Sequence, residues 1–230
     1  MGHVSRHDRE QGVVELVIDR PPANAMDLDL LEEIAAVVGS VAAEAPRALV
    51  LAGRPGFFSA GVDLKLAPEY APEDRRRMAA AINAMALGVY ELQFPVVGAI
   101  TGHAVAGGLV LALCTDVRVA SKEGRYGLTE VKVGIAYPQA AIGVVTAELA
   151  PPAARALALG GELTGAEECL RLGVFDELAA ADEVLPRALE LAAALARYPP
   201  EVYASTKHDL RAATAARLRA AAAQDPLLRA

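Results

Sequence analysis

The sequence predicts an α/β fold: a parallel-type β/α core followed by a helical C-terminal region. Three observations predict it. Short apolar, β-like runs alternate along the chain with stretches of helical spacing. Two of those runs, Ala48–Ala52 and Val96–Ile100, lead into glycine-bearing turns that are each followed by a helix. Beyond Ala181 the chain is Ala-rich and helical, with one break at Pro199-Pro200.

The elements follow in order. Val13 to Ile18 reads as a strand that ends at Arg20-Pro21-Pro22. Asp27 or Asp29 can cap a helix carrying Leu28, Leu31, Ala35, Val38 and Ala42 on one face. Arg47 to Ala52 is the next strand. Pro72 suits a first helical turn, and Met78, Ile82, Met85, Val89 and Leu92 keep helical spacing behind it. Phe94-Pro95 stops that helix before the strand Val96–Ile100; Leu109 to Cys114 is helical and Val117 to Ala120 a short strand. Helix resumes after Pro138. Thr164-Gly165-Ala166-Glu167 has capping-box form, with Gly173 just past that helix's end. Ala181 to Arg197 and Glu201 to Gln224 are two further helices. One domain is expected: a core over residues 1–196 and a shortened helical region over 197–230 that serves oligomerisation.

Composition narrows the function classes. A chain of 230 residues has room for one substantial core, and 54% apolar against 22% charged residues is a globular balance. Aromatics total 4% with no Trp, which speaks against a base-stacking platform; a net charge of −7 speaks against nucleic-acid or anionic-membrane partners. Cys114 and Cys169 lie far apart, with no C-x-x-C and no zinc-like His spacing, so they read as reduced buried thiols of a cytoplasmic protein without a metal. Residues 1–12 are polar and lack a signal core. Val96 to Cys114 is nearly all apolar. It contains Gly98, Gly102, Gly107, Gly108, Thr101 and His103 between Pro95 and Asp116, and fits a buried strand, turn and helix better than a membrane span.

The two turns carry the chemistry. They are Phe57-Phe58-Ser59-Ala60-Gly61-Val62-Asp63-Leu64 and Gly102-His103-Ala104-Val105-Ala106-Gly107-Gly108. Strand-to-helix turns leave backbone N–H groups unpaired at the helix start. Two such donors aimed at one oxygen make an oxyanion hole. Either segment alone is equally consistent with an ordinary tight turn.

Taken as an ordered pair, the turns resemble those of the enoyl-CoA hydratase/isomerase (crotonase) family, and the resemblance runs along nearly the whole chain. Arg20-Pro21-Pro22-Ala23-Asn24-Ala25-Met26 resembles its R-P-x-x-N-A stretch and Phe58 to Lys65 its F-S-A-G-x-D-L-K. Ala106-Gly107-Gly108 stands where the family has G-G-G or A-G-G, and Cys114 to Arg118 resembles C-D-x-R. Tyr126 to Glu130, with Gly134 and Pro138, is similar to F-x-x-x-E…G-x-x-P; Leu163 to Asp176 is similar to L-T-G…G-L-V-D, and Ser205-Thr206-Lys207 to S-K or T-K. The resemblance implies a crotonase-like ββα spiral core, an acyl-CoA thioester as substrate, and a homotrimer or a hexamer. It implies no cofactor beyond the coenzyme A of the substrate.

Carried over by position, the oxyanion donors are the amides of Val62 and Gly107, with Asp63 structural at its loop. Arg20 and Lys65 are the candidates for the CoA phosphates, although Lys65 is equally a solvating surface lysine. Ala23, Ala25, Ala60, Gly61 and Leu64 line the pantetheine and thioester path, while Val110, Tyr137 and Pro138 belong to the acyl pocket. Many members continue past the helix of Lys207 with a basic, aromatic-bearing segment over the adenine; the resemblance names no residue here for that contact.

Members that hydrate an enoyl thioester use two carboxylates to position and deprotonate water. The first lies three residues after the oxyanion glycine, where this sequence has Val110; the second position is Glu130. One acid–base group beside an apolar residue suits a proton shuttle from C2 to C4, so the pattern looks like the monofunctional Δ3,Δ2-enoyl-CoA isomerases. Hydration or another crotonase-type reaction, and a non-catalytic CoA-binding subunit, stand as alternatives; Glu130 could also be a plain helix-start acid. His103 is expected to pack against its turn, His3 and His7 to lie in a frayed terminus, and His208 to be exposed. No G-x-S-x-G elbow, G-x-G-x-x-G or Walker motif occurs.

Overall fold

Four times the chain runs strand, shorter strand, helix. The first unit is β2 (Val13–Ile18), β3 (Ala25–Met26) and α1 (Leu28–Glu44). The second is β4 (Ala48–Ala52), β5 (Gly56–Ser59) with β6 (Gly61–Val62), and α2 (Pro72–Tyr90). The third is β7 (Val96–Ile100), β8 (Gly102–Val105) and α3 (Gly107–Leu113); the fourth is β9 (Val117–Ser121), β10 (Arg125–Gly127) and α4 (Glu130–Val133). The computed structural model describes residues 2–66 and 69–229.

The first strands of the units align as one sheet and the second strands as another. With β1 (Val4–Asp8) and β12 (Glu177–Ala179), the larger sheet has the order β1-β2-β4-β7-β9-β12, parallel except for the β1 edge. With β11 (Thr164–Gly165), the smaller has the order β11-β10-β8-β5, and β3 pairs with β6 separately. This is the crotonase-like ββα spiral, closed by helices α5 (Gln139–Glu148), α6 (Pro151–Gly160), α7 (Ala166–Arg171), α8 (Val184–Leu195) and α9 (Pro200–Ala223).

A parallel sheet covered on both faces needs strands that are apolar at every position. Every residue of β4 and β7 is accordingly buried. On one face Val50, Val97, Ala99 and Val119 meet Val184, Ala188 and Ala192 of α8, whose small side chains let the helix sit close. On the other, Leu16, Leu49, Leu51 and Ile100 join Leu31 and Ile34 of α1 and Met85 of α2 in the main core. Lys207 ties α9 down: it is buried, with Nζ donating to Asp116 at 2.6 Å and to the Phe94 carbonyl at 3.0 Å.

Several expectations change. Asp27, rather than Asp29, caps α1, its side chain accepting from Leu30 N at 2.9 Å. The buried stripe of α1 includes Ile34 and Val41, while Ala42 is exposed, because bulkier side chains take the core-facing rows. The segment holding His7 is not frayed: β1 pairs with β2 in antiparallel register from Val4↔Ile18 to Asp8↔Val14, an exposed edge whose polar side chains hide it from pattern reading. Leu92 lies past the end of α2 yet is buried. Thr164 makes no capping box. It pairs with Tyr126 in the smaller sheet, and Gly165 caps α7 without a side-chain bond.

Candidate active site

The two glycine turns meet. Gly61 has φ +78°, and a methyl group built on it would stand 2.7 Å from the Val105 carbonyl oxygen and 3.1 Å from Gly107 N. One built on Gly107 would touch Gly61 Cα at 3.9 Å. Ala106, just before Gly107, holds φ +52°, a conformation that L side chains rarely adopt and that surrounding contacts must enforce. The enforcing bonds are visible: Ala106 N donates to Gly127 O at 2.8 Å, and Leu109 N and Val110 N both donate to Ala106 O. Gly107 opens α3, so its N–H has no acceptor within the helix. Val62, at the end of β6, and Gly107 are both half-buried.

Asn24 and Ser59 build the first turn from beneath. Asn24 is fully buried at φ +51°; its Nδ2 donates to the Ile18 and Phe58 carbonyls at 2.7 and 3.0 Å, and its Oδ1 accepts from Arg20 N at 2.6 Å. Ser59 Oγ donates to Asn24 O at 2.7 Å and accepts from Gly61 N at 3.0 Å. Neither was singled out from sequence as a site-forming residue. Asn in a loop rich in turn residues, tolerant of positive φ, was the available signal.

Arg20 donates to the Ala25 carbonyl at 2.7 Å and faces Asp27 at 2.5 Å and Asp63 at 3.7 Å, so it clasps the β2–β3 loop to the first turn. A phosphate would share it with two carboxylates. Asp63 also accepts from Lys65 N at 3.0 Å and Leu66 N at 3.4 Å, which fixes its loop. Ala60 N donates to Ala23 O at 2.9 Å, and Ala25 pairs with Gly61, so these residues form one continuous wall. Leu64 and Lys65 are exposed at its outer end.

Glu130 is the first residue of α4, three residues beyond Gly127, the acceptor of Ala106 N. Three residues reach about 11 Å at most, which bounds the Cα separation of Glu130 from Gly127. Glu130 is only 7% exposed, and its carboxylate accepts from the Tyr137 hydroxyl at 2.7 Å. Burial raises the Glu130 carboxyl above its ordinary value, and the Tyr137 bond pulls the other way. Tyr137 is pushed up by its own burial and by Glu130. Val110 is fully buried in the first turn of α3, which packs on α5; Pro138, buried, precedes α5. The link from Tyr137 to Glu130 was missed from sequence, where Tyr137 reads only as pocket lining.

The other candidates are occupied elsewhere. His103 packs its ring on Phe57 with centroids 4.8 Å apart, and its Nδ1 accepts from Arg125 N at 2.9 Å. His208 is exposed on α9. Cys114 and Cys169 are buried thiols, both pushed up to about 12 by burial, which keeps them unreactive. Among the described residues no His, Cys, Asp and Glu cluster could hold a metal, and no helix is long and apolar enough to cross a membrane.

Two strand layers wound as ββα units, with a pair of glycine turns that meet, define a crotonase-type protein. Residues 8–228 match the enoyl-CoA hydratase/isomerase family, and the chain belongs to that family of acyl-CoA enzymes. A probable enoyl-CoA hydratase of Mycobacterium tuberculosis, EchA17, is 32% identical over 209 residues, covering 89% of this chain and 78% of the relative. Among solved structures, the probable enoyl-CoA hydratase EchA3 of Mycobacterium tuberculosis superposes with a TM-score of 0.89 at 28% identity, covering 96% and 93% of the two chains. Human mitochondrial Δ3,Δ2-enoyl-CoA isomerase superposes with a TM-score of 0.88 at 29% identity, covering 95% and 86%.

Proposed function

We propose that this enzyme shifts a double bond within an acyl-CoA thioester, converting a 3-enoyl-CoA to a 2-enoyl-CoA with Glu130 as its single acid–base group. One observation carries the reading: Glu130 is buried, and Val110, where the resemblance puts a hydratase's other carboxylate, is a fully buried apolar residue. Water activation asks for two positioned carboxylates; a proton moved between two carbons of one substrate asks for one.

The amides of Val62 and Gly107 take the thioester oxygen as it gains enolate charge. Glu130 removes the proton at C2, the enolate carries the electron pair, and the same carboxyl returns the proton at C4. Burial raises its basicity towards a weakly acidic C–H. No metal or redox cofactor is required, and coenzyme A enters with the substrate. The working assembly is proposed to be a trimer or a dimer of trimers, which a solution mass tests.

The hydratase reading is favoured by one specific observation: the relative EchA17 is a probable enoyl-CoA hydratase. Incubating the protein with a 3-enoyl-CoA and with a 2-enoyl-CoA separately, then resolving the isomers by chromatography and weighing each product, decides between the two. Isomerisation converts one into the other at unchanged mass, hydration adds one water, and a CoA-binding subunit alters neither. A hydrated product as the main outcome would overturn the isomerase reading.

A further inference from the structure

After α9 the chain turns at Asp225 into a short 3-10 turn, Pro226–Leu228. Asp225 is 1% exposed, and three donors converge on its carboxylate. Leu227 N donates to Oδ1 at 2.9 Å; Gln139 N and Asn83 Nδ2 both donate to Oδ2 at 2.8 Å. Asn83, buried on α2, accepts in turn from Ala140 N at 2.8 Å. Gln139 and Ala140 are the first two residues of α5, whose amides have no acceptor inside the helix. Pro138 stands at the cap position and offers no side-chain bond. Two elements far away in sequence therefore supply the cap that α5 lacks locally.

That cap sits two residues from Tyr137. The stretch from Gly134 to Pro138 forms no helix or strand, and its ends are held by Ile135 N on Glu130 O at 3.0 Å and by the start of α5. Where α5 begins thus decides where the Tyr137 ring lies, and the Tyr137 hydroxyl is what meets the Glu130 carboxylate.

We propose that Asp225 and Asn83 are positioning residues for the Glu130–Tyr137 pair, fixing the start of α5 so that the Tyr137 hydroxyl holds the Glu130 carboxylate. The proposal deepens the isomerase reading, which supplies the role of Glu130. Tyr137 is the titratable side chain that acts on Glu130. Lys132 on the same helix is paired with Glu162 at 2.8 Å, Arg125 of β10 donates to the Leu163 carbonyl, and Arg155 of α6, which packs on α4, is exposed.

The test uses the full chain with Asp225→Asn, Asn83→Ala, Tyr137→Phe and the double variant Asp225→Asn/Tyr137→Phe. Asp225→Asn keeps size but presents one acceptor oxygen to three donors. The Glu130 carboxyl is followed by ¹³C NMR across pH, its signal assigned by its loss in Glu130→Gln. Asp225→Asn and Asn83→Ala each raise the midpoint in the direction of Tyr137→Phe, and the double variant goes no further than Tyr137→Phe alone. In isomerase assays kcat falls about tenfold or more with KM little changed, as for a displaced catalytic group. A lowered melting temperature with an unmoved midpoint would overturn the proposal, as would shifts that add to that of Tyr137→Phe. If Asp225→Asn does not fold, Asn83→Ala carries the same comparison. If the wild type isomerises nothing, the isomerase reading fails by itself, and the NMR midpoints still decide the positioning.

Discussion

The Tyr137 hydroxyl donates a 2.7 Å hydrogen bond to a Glu130 carboxylate that the fold has otherwise withdrawn from water. The two influences oppose one another: burial favours the neutral acid and Tyr137 favours the anion, with burial the larger. A carboxylate so placed is more basic than one in water, yet keeps one partner that holds its orientation.

Removing the charge while keeping the shape separates chemistry from binding. Glu130→Gln retains an acceptor for Tyr137 but no base, so isomerisation falls by roughly 10²–10⁴-fold. Deuterium exchange at the substrate α-carbon falls in parallel, while acyl-CoA binding by calorimetry is unchanged. Full turnover in this variant would make Glu130 structural.

The same substitution stabilises the fold. Because the folded-state value of Glu130 is raised, the folded protein holds its proton when the unfolded chain has released it. Stability is therefore lost as pH rises from the unfolded value through the folded one, and the deficit persists above both. Glu130→Gln removes that deficit, raising the melting temperature at pH 7 and raising it less at pH 4. Calorimetric melts at the two pH values check this. An equal gain at both would refute the charge argument.

In the pH profile of kcat/KM, the acid limb reports the base of the free enzyme. In the wild type the burial of Glu130 shifts it upward from that of an ordinary carboxyl. Tyr137→Phe moves it further upward, because the lost bond had favoured the anion. A downward move would show that Tyr137 acts on Glu130 in another way.

The glycine contact makes a geometric prediction. Gly61→Ala asks an L side chain to hold φ +78° and to stand 2.7 Å from the Val105 carbonyl oxygen, so it separates the two turns. Gly107→Ala meets nothing closer than 3.9 Å. Gly61→Ala loses both stability and activity, whereas Gly107→Ala melts within a few degrees of the wild type; unfolding curves and initial rates distinguish them.

The fully buried strands and the long helices were legible because burial on two faces or one leaves an apolar period in the sequence; Val96–Ile100 and the Met78–Val89 stripe are cases in point. The strands of the smaller sheet were not. Gly56–Ser59 and Gly102–Val105 are four residues each and merge with their turns, so they read as turn alone. The edge strand Val4–Asp8 has exposed polar side chains and is held by backbone bonds that no side chain announces. Motif positions gave Val62, Gly107 and Glu130 as candidates. Tyr137 as partner to Glu130, Asn24 beneath the first turn and Asp225 at α5 depend on which segments fold back on one another, which local pattern does not encode.

Val110 provides the complementary gain. It lies fully buried in the first turn of α3, and Val110→Glu adds a second carboxyl where the family's hydratases carry theirs. Two carboxylates can hold and deprotonate one water, so this variant hydrates a 2-enoyl-CoA that the wild type leaves unhydrated, a product detected by its added mass of one water. The cost is stability. A carboxyl moved into an apolar core without a donor is penalised by about 1–3 kcal/mol on protein-derived scales, and it stays protonated until the pH is raised. Hydration therefore grows with pH above neutrality while the melting temperature falls. A folded Val110→Glu protein that binds acyl-CoA yet hydrates nothing up to pH 9 would show that the water site is absent for a reason other than the missing carboxylate.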